Sequence, residues 1–157
     1  MSVGNLTLAA LPDSVEIEQL PESLRSLHAF WDRCRAGRVM PLRRDIDVLD
    51  LRPWLGHLML IDVIDGGADY RYRVYGSVIA SYFNRDLTGR CVSSLAPSVQ
   101  EVVHAEYGYV VRHAVPLAIS RRRSVQFFSM VMARLILPLT VTGRDVEMLL
   151  VGVYPAE

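Results

Sequence analysis

Three consecutive arginines, Arg121 to Arg123, form the densest run of charge in the chain. Guanidinium groups pair with phosphates and carboxylates, so this run could hold a phosphate-bearing ligand or a nucleic acid. The alternative is a solvated β-hairpin turn. The chain has 17 basic and 17 acidic residues, so no net charge attracts it to a phosphate backbone. We therefore favour the solvated turn and expect no nucleic-acid partner.

Arg73 is a second candidate, because it lies within a predicted strand. Its guanidinium could lie on the solvent face beside Arg71, or it could pair with a buried carboxylate such as Asp62. A third alternative is that it binds an anionic ligand. Alternation along the strand places Val74 on the covered face and Tyr75 on the same face as Arg73.

Aromatic and methionine side chains recur on the predicted strands and helices. Large, adaptable side chains of this kind line cavities for small apolar ligands. The candidate ligand-binding residues are Tyr72, Phe83, Tyr107, Phe128, Met130 and Met132, together with Arg73. The alternative is that the apolar members fill an ordinary hydrophobic core.

Several classes of chemistry are excluded or unsupported by the residue types. The chain has no lysine, which excludes a Walker-type phosphate loop and Schiff-base catalysis. No GxSxG motif or paired-carboxylate spacing indicates a catalytic site. The histidines, His28, His57, His104 and His113, do not match a metal-binding motif. We therefore predict neither an enzyme nor a metal site.

The distribution of apolar residues also bears on localisation. No segment is continuously apolar over the roughly 18 residues that a membrane span needs. The N-terminal residues include Asp13, Glu16 and Glu18 and lack the basic and apolar regions of a signal peptide. The sequence therefore predicts a cytoplasmic protein without a membrane partner.

Residues 1–19 sustain no period and are predicted to form a flexible arm. Residues 20–157 then form one domain, which starts with an amphipathic helix over residues 21–36. The apolar stripe of this helix consists of Leu24, Leu27, Phe30 and Trp31. Such a stripe either packs on its own domain or forms the seam of a twofold dimer. We favour the seam and predict a homodimer.

The remaining pattern predicts strands on both sides of a helical insert. Two strands, Leu58 to Ile64 and Tyr70 to Tyr75, flank the turn signal Asp65-Gly66-Gly67. Helices are predicted over Ser77 to Phe83 and Ser98 to His113. Three more strands follow, at Leu117 to Ser120, Val125 to Leu139 and Val146 to Tyr154. This ββ-helices-βββ order predicts an α+β fold, in which a five-stranded antiparallel sheet carries helices on one face.

Several short motifs follow one another between Leu24 and Val153. They are Trp31 with Arg33, Met40-Pro41, Arg44-Asp45-Ile46-Asp47, Tyr70-Arg71-Tyr72-Arg73-Val74-Tyr75-Gly76, Asp86-Leu87-Thr88-Gly89-Arg90 and Arg134-Leu135-Ile136-Leu137-Pro138-Leu139. In this order and spacing they resemble a bacterial branch of the PAS sensory domains, whose members are commonly lone domains.

The resemblance implies a cavity between the sheet and the helical insert. It also implies a sensory or regulatory role through ligand binding, protein–protein contact or both, and dimerisation through the N-terminal helix and the sheet face. A chain of 157 residues has no room for an output domain, so we expect a protein partner. A small apolar ligand is a further expectation.

Some branches of this family bind a heme or flavin cofactor. Some PAS domains ligate heme through a histidine on the long helix, where His104 and His113 are predicted to lie. A flavin-binding branch uses a cysteine motif that Gly89-Arg90-Cys91-Val92-Ser93 does not match. We expect neither heme nor flavin, and the sequence identifies no other cofactor.

Two alternatives to a sensory module stay open. One is an α+β domain, binding or enzymatic, that holds a hydrophobic ligand beneath a helical lid. The other is a dimeric interaction adaptor that has a packed core and binds no ligand. A polar catalytic group inside a cavity would favour the enzymatic form, and a core without a cavity would favour the adaptor.

Overall fold

The computed structural model describes residues 11–125 and 128–156. These residues contain three α-helices, at Glu22–Arg35 (α1), Ser77–Phe83 (α2) and Pro97–His113 (α3). They also contain six strands, at Ser14–Val15 (β1), Leu58–Ile64 (β2), Asp69–Tyr75 (β3), Leu117–Val125 (β4), Phe128–Leu139 (β5) and Met148–Pro155 (β6). Within this part of the chain, no helix has the length and apolar character to cross a membrane.

The strands form one open antiparallel sheet in the order β1-β4-β5-β6-β2-β3. The β2-β3 hairpin joins the β4-β5-β6 meander because β2 pairs with β6, for example through Leu60 opposite Leu150. Helices α2 and α3 form the insert between β3 and β4. The predicted α+β fold and its ββ-helices-βββ order are therefore confirmed, with one strand more than predicted.

The additional strand corrects the expectation of a flexible arm over residues 1–19. Ser14 pairs with Ile119 and Val15 with Ala118, so β1 extends the sheet beyond β4. Leu11 is buried in the core, which fixes the start of this segment. Residues 11–19 are therefore packed against the domain, whereas residues 1–10 lie outside the described residues.

The three arginines correct a second expectation, because they lie within β4 and not in a turn. Arg121 is opposite Met132 and Arg123 is opposite Met130 in the ladder with β5. Alternation in a strand then directs Arg121 and Arg123 to one face and Arg122 to the other. A local run of charge is an unreliable sign of a turn when a long partner strand can pair with it.

A β-bulge in the β2-β3 hairpin reverses the predicted alternation near the end of β3. The register shifts between Leu60, which is opposite Val74, and Ile61, which is opposite Tyr72. Arg73 is therefore the extra residue, and a bulge of this kind redirects the side chains beyond it. As a result Val74 is 48% exposed, and Tyr75 lies against the helical insert.

Helix α1 packs against the sheet with the residues that the sequence assigned to a dimer seam. Leu24, Leu27, Phe30 and Trp31 are all buried within the chain's own core. The Trp31 indole donates a hydrogen bond to the Pro138 carbonyl at 2.9 Å, and Phe30 packs against the Trp54 ring. The seam prediction is therefore wrong for these four side chains, because covering the chain's own sheet already removes them from water.

Helix α1 and the insert lie on opposite faces of the sheet. A Cβ atom at Gly152 would lie 2.6 Å from Leu24 Cδ2 and 2.8 Å from Leu27 Cδ2, so only glycine lets α1 approach this closely. The next residue, Val153, faces the insert. Because successive side chains of a strand point to opposite faces, the sheet is covered on both sides.

A carboxylate organises the turn between β5 and β6, and it makes the stability of the turn dependent on pH. Glu147 Oε1 accepts hydrogen bonds from Val141 N, Thr142 N, Thr142 Oγ1 and Thr140 Oγ1 at 2.7–3.1 Å. The bonds from the Thr142 backbone and side chain are the main cause that lowers the pKa of Glu147 from 4.5 to about 2. The ionised form therefore stabilises the folded state.

We expect Glu147→Gln to lower the free energy of unfolding by about 1–2 kcal/mol at pH 7, after allowance for solvent screening. Because the folded pKa is depressed, this contribution is complete above pH 4.5 and is lost as the pH falls towards 2. Urea unfolding between pH 7 and pH 2 measures it. The difference between the two proteins should shrink over that acid range, whereas Asp145→Asn in the same turn should show no such loss at pH 7.

Candidate functional site

A cavity of about 410 Å³ lies between the sheet and the helical insert. Its apolar walls come from both layers and include Met59, Ile79, Leu87, Leu95, Val103 and Val153. Val99 and Val102, on the first turns of α3, line the cavity and are exposed, so they mark its rim. The sheet supplies one wall and the insert supplies the other.

The structure brings together four of the seven predicted ligand-binding residues. Tyr72, Phe83, Tyr107 and Met132 all line the cavity. Met130 packs against the edge of the core, and Phe128 is 71% exposed at the start of β5. Neither residue lines the cavity.

Arg73, the seventh residue, is also outside the cavity. Asp62 Oδ1 accepts from Arg73 Nε at 3.0 Å, and Asp62 Oδ2 accepts from Arg71 Nη2 at 3.1 Å. Asp62 is buried and the two arginines are largely exposed. Of the three alternatives for Arg73, the structure supports the ion pair with Asp62.

Three tyrosines, Tyr72, Tyr75 and Tyr107, line the cavity wall. Burial raises the pKa of each, and it raises that of Tyr75 to about 12. All three therefore stay protonated at neutral pH and act as hydrogen-bond donors, not as bases. Their rings also order the wall, since Tyr72 and Tyr75 pack edge to face with centroids 5.5 Å apart.

The Tyr107 hydroxyl is buried and has no hydrogen-bond partner among the described residues. It approaches the Tyr72 hydroxyl, but this contact does not meet the geometry of a hydrogen bond. A buried hydroxyl without a partner is costly and uncommon in folded proteins. A ligand or a water molecule in the cavity would satisfy it.

A buried ion cluster ties α3 to the sheet beside the cavity. Glu106 is 2% exposed and accepts hydrogen bonds from Arg121 of β4 and Arg134 of β5. Arg121 also donates to Asp13, next to β1, at 2.7 Å. The cluster therefore joins the long helix to two strands of the sheet that line the cavity.

Two further arginines of the cavity wall, Arg85 and Arg123, have no ion pair within the described part of the chain. The Arg123 guanidinium lies 5.7 Å from the centre of the Phe83 ring. Arg123 is exposed, but partial burial and the charge of Arg121 lower its pKa. The wall thus carries positive charge that no carboxylate of the described residues balances by an ion pair.

Sequence reasoning missed Arg85, Arg134 and Glu106 as parts of the site, and it weighed Arg121 to Arg123 as a phosphate site but favoured a solvated turn. Glu106 did carry a signal, because it lies between Val103, Tyr107 and Val110 on the apolar side of a predicted helix. Arg121 and Arg123 also carried a signal, since residues two apart in a strand lie on the same face. The assignment of the arginine run to a turn concealed the second signal.

His104 and His113, the histidines of the long helix, do not line the cavity. His104 packs against the Tyr70 ring and His113 against the Tyr109 ring, with centroids 5.3 and 4.6 Å apart. Among the residues that the structure describes, no group of three or more His, Cys, Asp or Glu side chains is placed to hold a metal ion.

A family model described as the PAS domain matches residues 20–154, which include both hairpin strands, the insert and the cavity. No curated protein and no solved structure matches the chain. The family match therefore agrees with the fold and covers every residue of the cavity wall.

Proposed function

Because the chain belongs to the PAS domain family, whose members are sensory and regulatory modules, we propose that it binds a small ligand in the cavity and reports occupancy to a protein partner. The cavity carries this proposal. Its volume of about 410 Å³ falls within the range of roughly 300–1,000 Å³ that is typical of small-molecule sites. The unpartnered Tyr107 hydroxyl supports an occupant that can form a hydrogen bond.

The enzymatic alternative has less support from the cavity wall. Among the described lining residues there is no histidine, cysteine or carboxylate that could act as a base or a strong nucleophile. The tyrosines have raised pKa values, so they are protonated at neutral pH. Such a wall is suited to binding and orienting a ligand.

An exposed apolar groove supports the alternative that the protein is an interaction adaptor. Val48, Leu55 and Val74 are exposed and line a groove of about 100 Å³ next to Leu58 and Leu60 of β2. Exposed apolar side chains that lie together are typical of protein contacts. The predicted homodimer and the protein partner thus stay part of the proposal. Ligand binding takes precedence because the cavity is larger than the groove and its wall includes Tyr107, whose buried hydroxyl has no partner among the described residues.

Native mass spectrometry of the protein purified from its natural host tests the proposal. We expect a mass above that of the chain alone, and we expect the excess to disappear under denaturing conditions. Val103→Phe should reduce the occupied fraction at least about tenfold, because the added ring fills the cavity and displaces the ligand.

Val115→Phe is the matched control, because Val115 is exposed and lies outside the cavity wall. Far-ultraviolet circular dichroism will show that both variants are folded. A wild-type protein that carries no additional mass would contradict the proposal. The same conclusion would follow if Val103→Phe retained the ligand as fully as Val115→Phe.

A further inference from the structure

We propose that the ligand is a small amphipathic anion, with its anionic oxygen group bound by Arg85 and Arg123 and its apolar body in the cavity. This inference rests on the proposed function and specifies the ligand's chemical class. Carboxylates and phosphate monoesters share the required chemistry, since both accept charge-assisted hydrogen bonds from guanidinium groups.

The balance of charge around the cavity is the first argument. Four arginines line the wall, namely Arg85, Arg121, Arg123 and Arg134. Glu106 pairs with Arg121 and Arg134, and Asp13 pairs again with Arg121. The carboxylates near the cavity therefore pair with Arg121 and Arg134, which we call the inner two arginines. The outer two, Arg85 and Arg123, are left without a counter-ion in the described part of the chain.

The second argument is that the unbalanced charges lie beside hydroxyl donors. Arg85 and Arg123 are both close enough to Tyr72 and Tyr75 to act on the pKa of each phenol. Burial of Arg123 disfavours its charged form, so a counter-ion at this position would relieve that cost. Arg85, Arg123, Tyr72 and Tyr75 all line the same cavity, and guanidinium and phenol donors in one cavity wall form an environment for an anionic group.

The third argument concerns the rest of the ligand. Beyond these polar groups, the wall consists largely of apolar side chains such as Met59, Ile79, Leu95 and Val103. A fully polar anion would leave these surfaces without a partner, whereas an alkyl or aromatic body would remove them from water. The ligand therefore combines an apolar body with an anionic group.

The test compares four probes of similar length by isothermal titration calorimetry: octanoate, octyl phosphate, octanol and octylamine. We expect at least one anion to bind about ten- to a hundredfold more tightly than octanol, because a hydrogen bond to a charged group contributes an effect of this size. Octylamine should bind most weakly. Comparison of octanoate with octyl phosphate identifies which anionic group fits better.

Arg123→Gln and Arg85→Gln should each weaken binding of the preferred anion about tenfold or more and leave octanol binding within about twofold. Both arginines are exposed and lack ion pairs within the described residues, so these variants should fold. The matched control is Arg122→Gln, which removes the same charge from the other face of β4 and should have little effect.

Two results would overturn the inference: octanol binding as tightly as both anions, or equal losses of affinity in Arg122→Gln and Arg123→Gln. Octanol binding with no anion preference would leave the proposed function intact. If none of the four probes bound, and the protein from its host carried no additional mass, the proposed function would fail as well.

Discussion

Replacing Glu106 by alanine is expected to lower the free energy of unfolding by about 3–5 kcal/mol. The variant leaves the buried Arg134 guanidinium without a carboxylate and leaves Arg121 with only Asp13. Removal of one member of a buried ion cluster is costly, because the remaining charge has lost its water and its partner. The contact between α3 and the sheet is weakened at the same time.

Urea unfolding monitored by tryptophan fluorescence and circular dichroism will measure this loss. Glu101→Ala is the matched control, because Glu101 is an exposed glutamate on the same helix. It should change the free energy of unfolding by less than about 1 kcal/mol. A loss below 1 kcal/mol for Glu106→Ala would show that the cluster does not hold α3 on the sheet.

The second large effect is expected at Gly76, where β3 leads into α2. A Cβ atom at this position would lie 2.2 Å from the Gly56 carbonyl oxygen, well inside van der Waals contact. This oxygen cannot easily move, because it accepts hydrogen bonds from Val78 N at 3.0 Å and Ile79 N at 3.2 Å. Gly76→Ala should therefore destabilise the fold by about 3 kcal/mol or more.

Thermal and urea unfolding of Gly76→Ala measure the effect on stability, and probe binding measures the effect on the cavity. Binding should weaken as well, because α2 places Ile79 and Phe83 on the cavity wall. Gly108→Ala, within helix α3, provides the control. The nearest neighbour of a Cβ atom at this position would be Arg112 Nη1 at 3.4 Å, on a flexible side chain. Helix propensity favours alanine over glycine, so this variant should be neutral or slightly more stable. Equal losses in both variants would contradict the close approach at Gly76.

Elements with strong local signals were predicted closely from the sequence. Helix α2 and strand β2 have the predicted limits, because Gly76 and the Asp65-Gly66-Gly67 turn mark their ends. Helix α3 begins one residue earlier than predicted, at Pro97, and ends at His113 as predicted. Turn and capping residues next to these elements determine where they end, so their limits can be predicted from one sequence.

Features that depend on pairing between distant segments were missed. Strand β1 contains two residues without a distinctive pattern, and it forms by pairing with the edge of β4. The bulge at Arg73 is likewise a property of the β2-β3 register, and no local residue signals it. The arginine run was assigned to a turn because a local run of charge is typical of a solvated turn.

The candidate site was predicted in part for the same reason. Tyr72 and Tyr107 were identified because aromatic residues on a sheet and a covering helix tend to face one another across a core. Arg123 was weighed as part of a phosphate site but was not placed in the cavity wall, because its position on the cavity face depends on the pairing of β4 with β5. Glu106 was missed because only the two arginines of the sheet explain why a carboxylate is buried there.

The central claim, that the cavity between the sheet and the insert is the binding site, is tested most directly by methyl NMR of the methionines. Met59 and Met132 line the cavity, whereas Met40 and Met148 are buried elsewhere in the core. Titration with octanoate, and with octanol in parallel, should shift the signals of Met59 and Met132 and leave those of Met40 and Met148 nearly unchanged. If neither probe moved the Met59 and Met132 signals, or if all four moved equally, the cavity would not be the site.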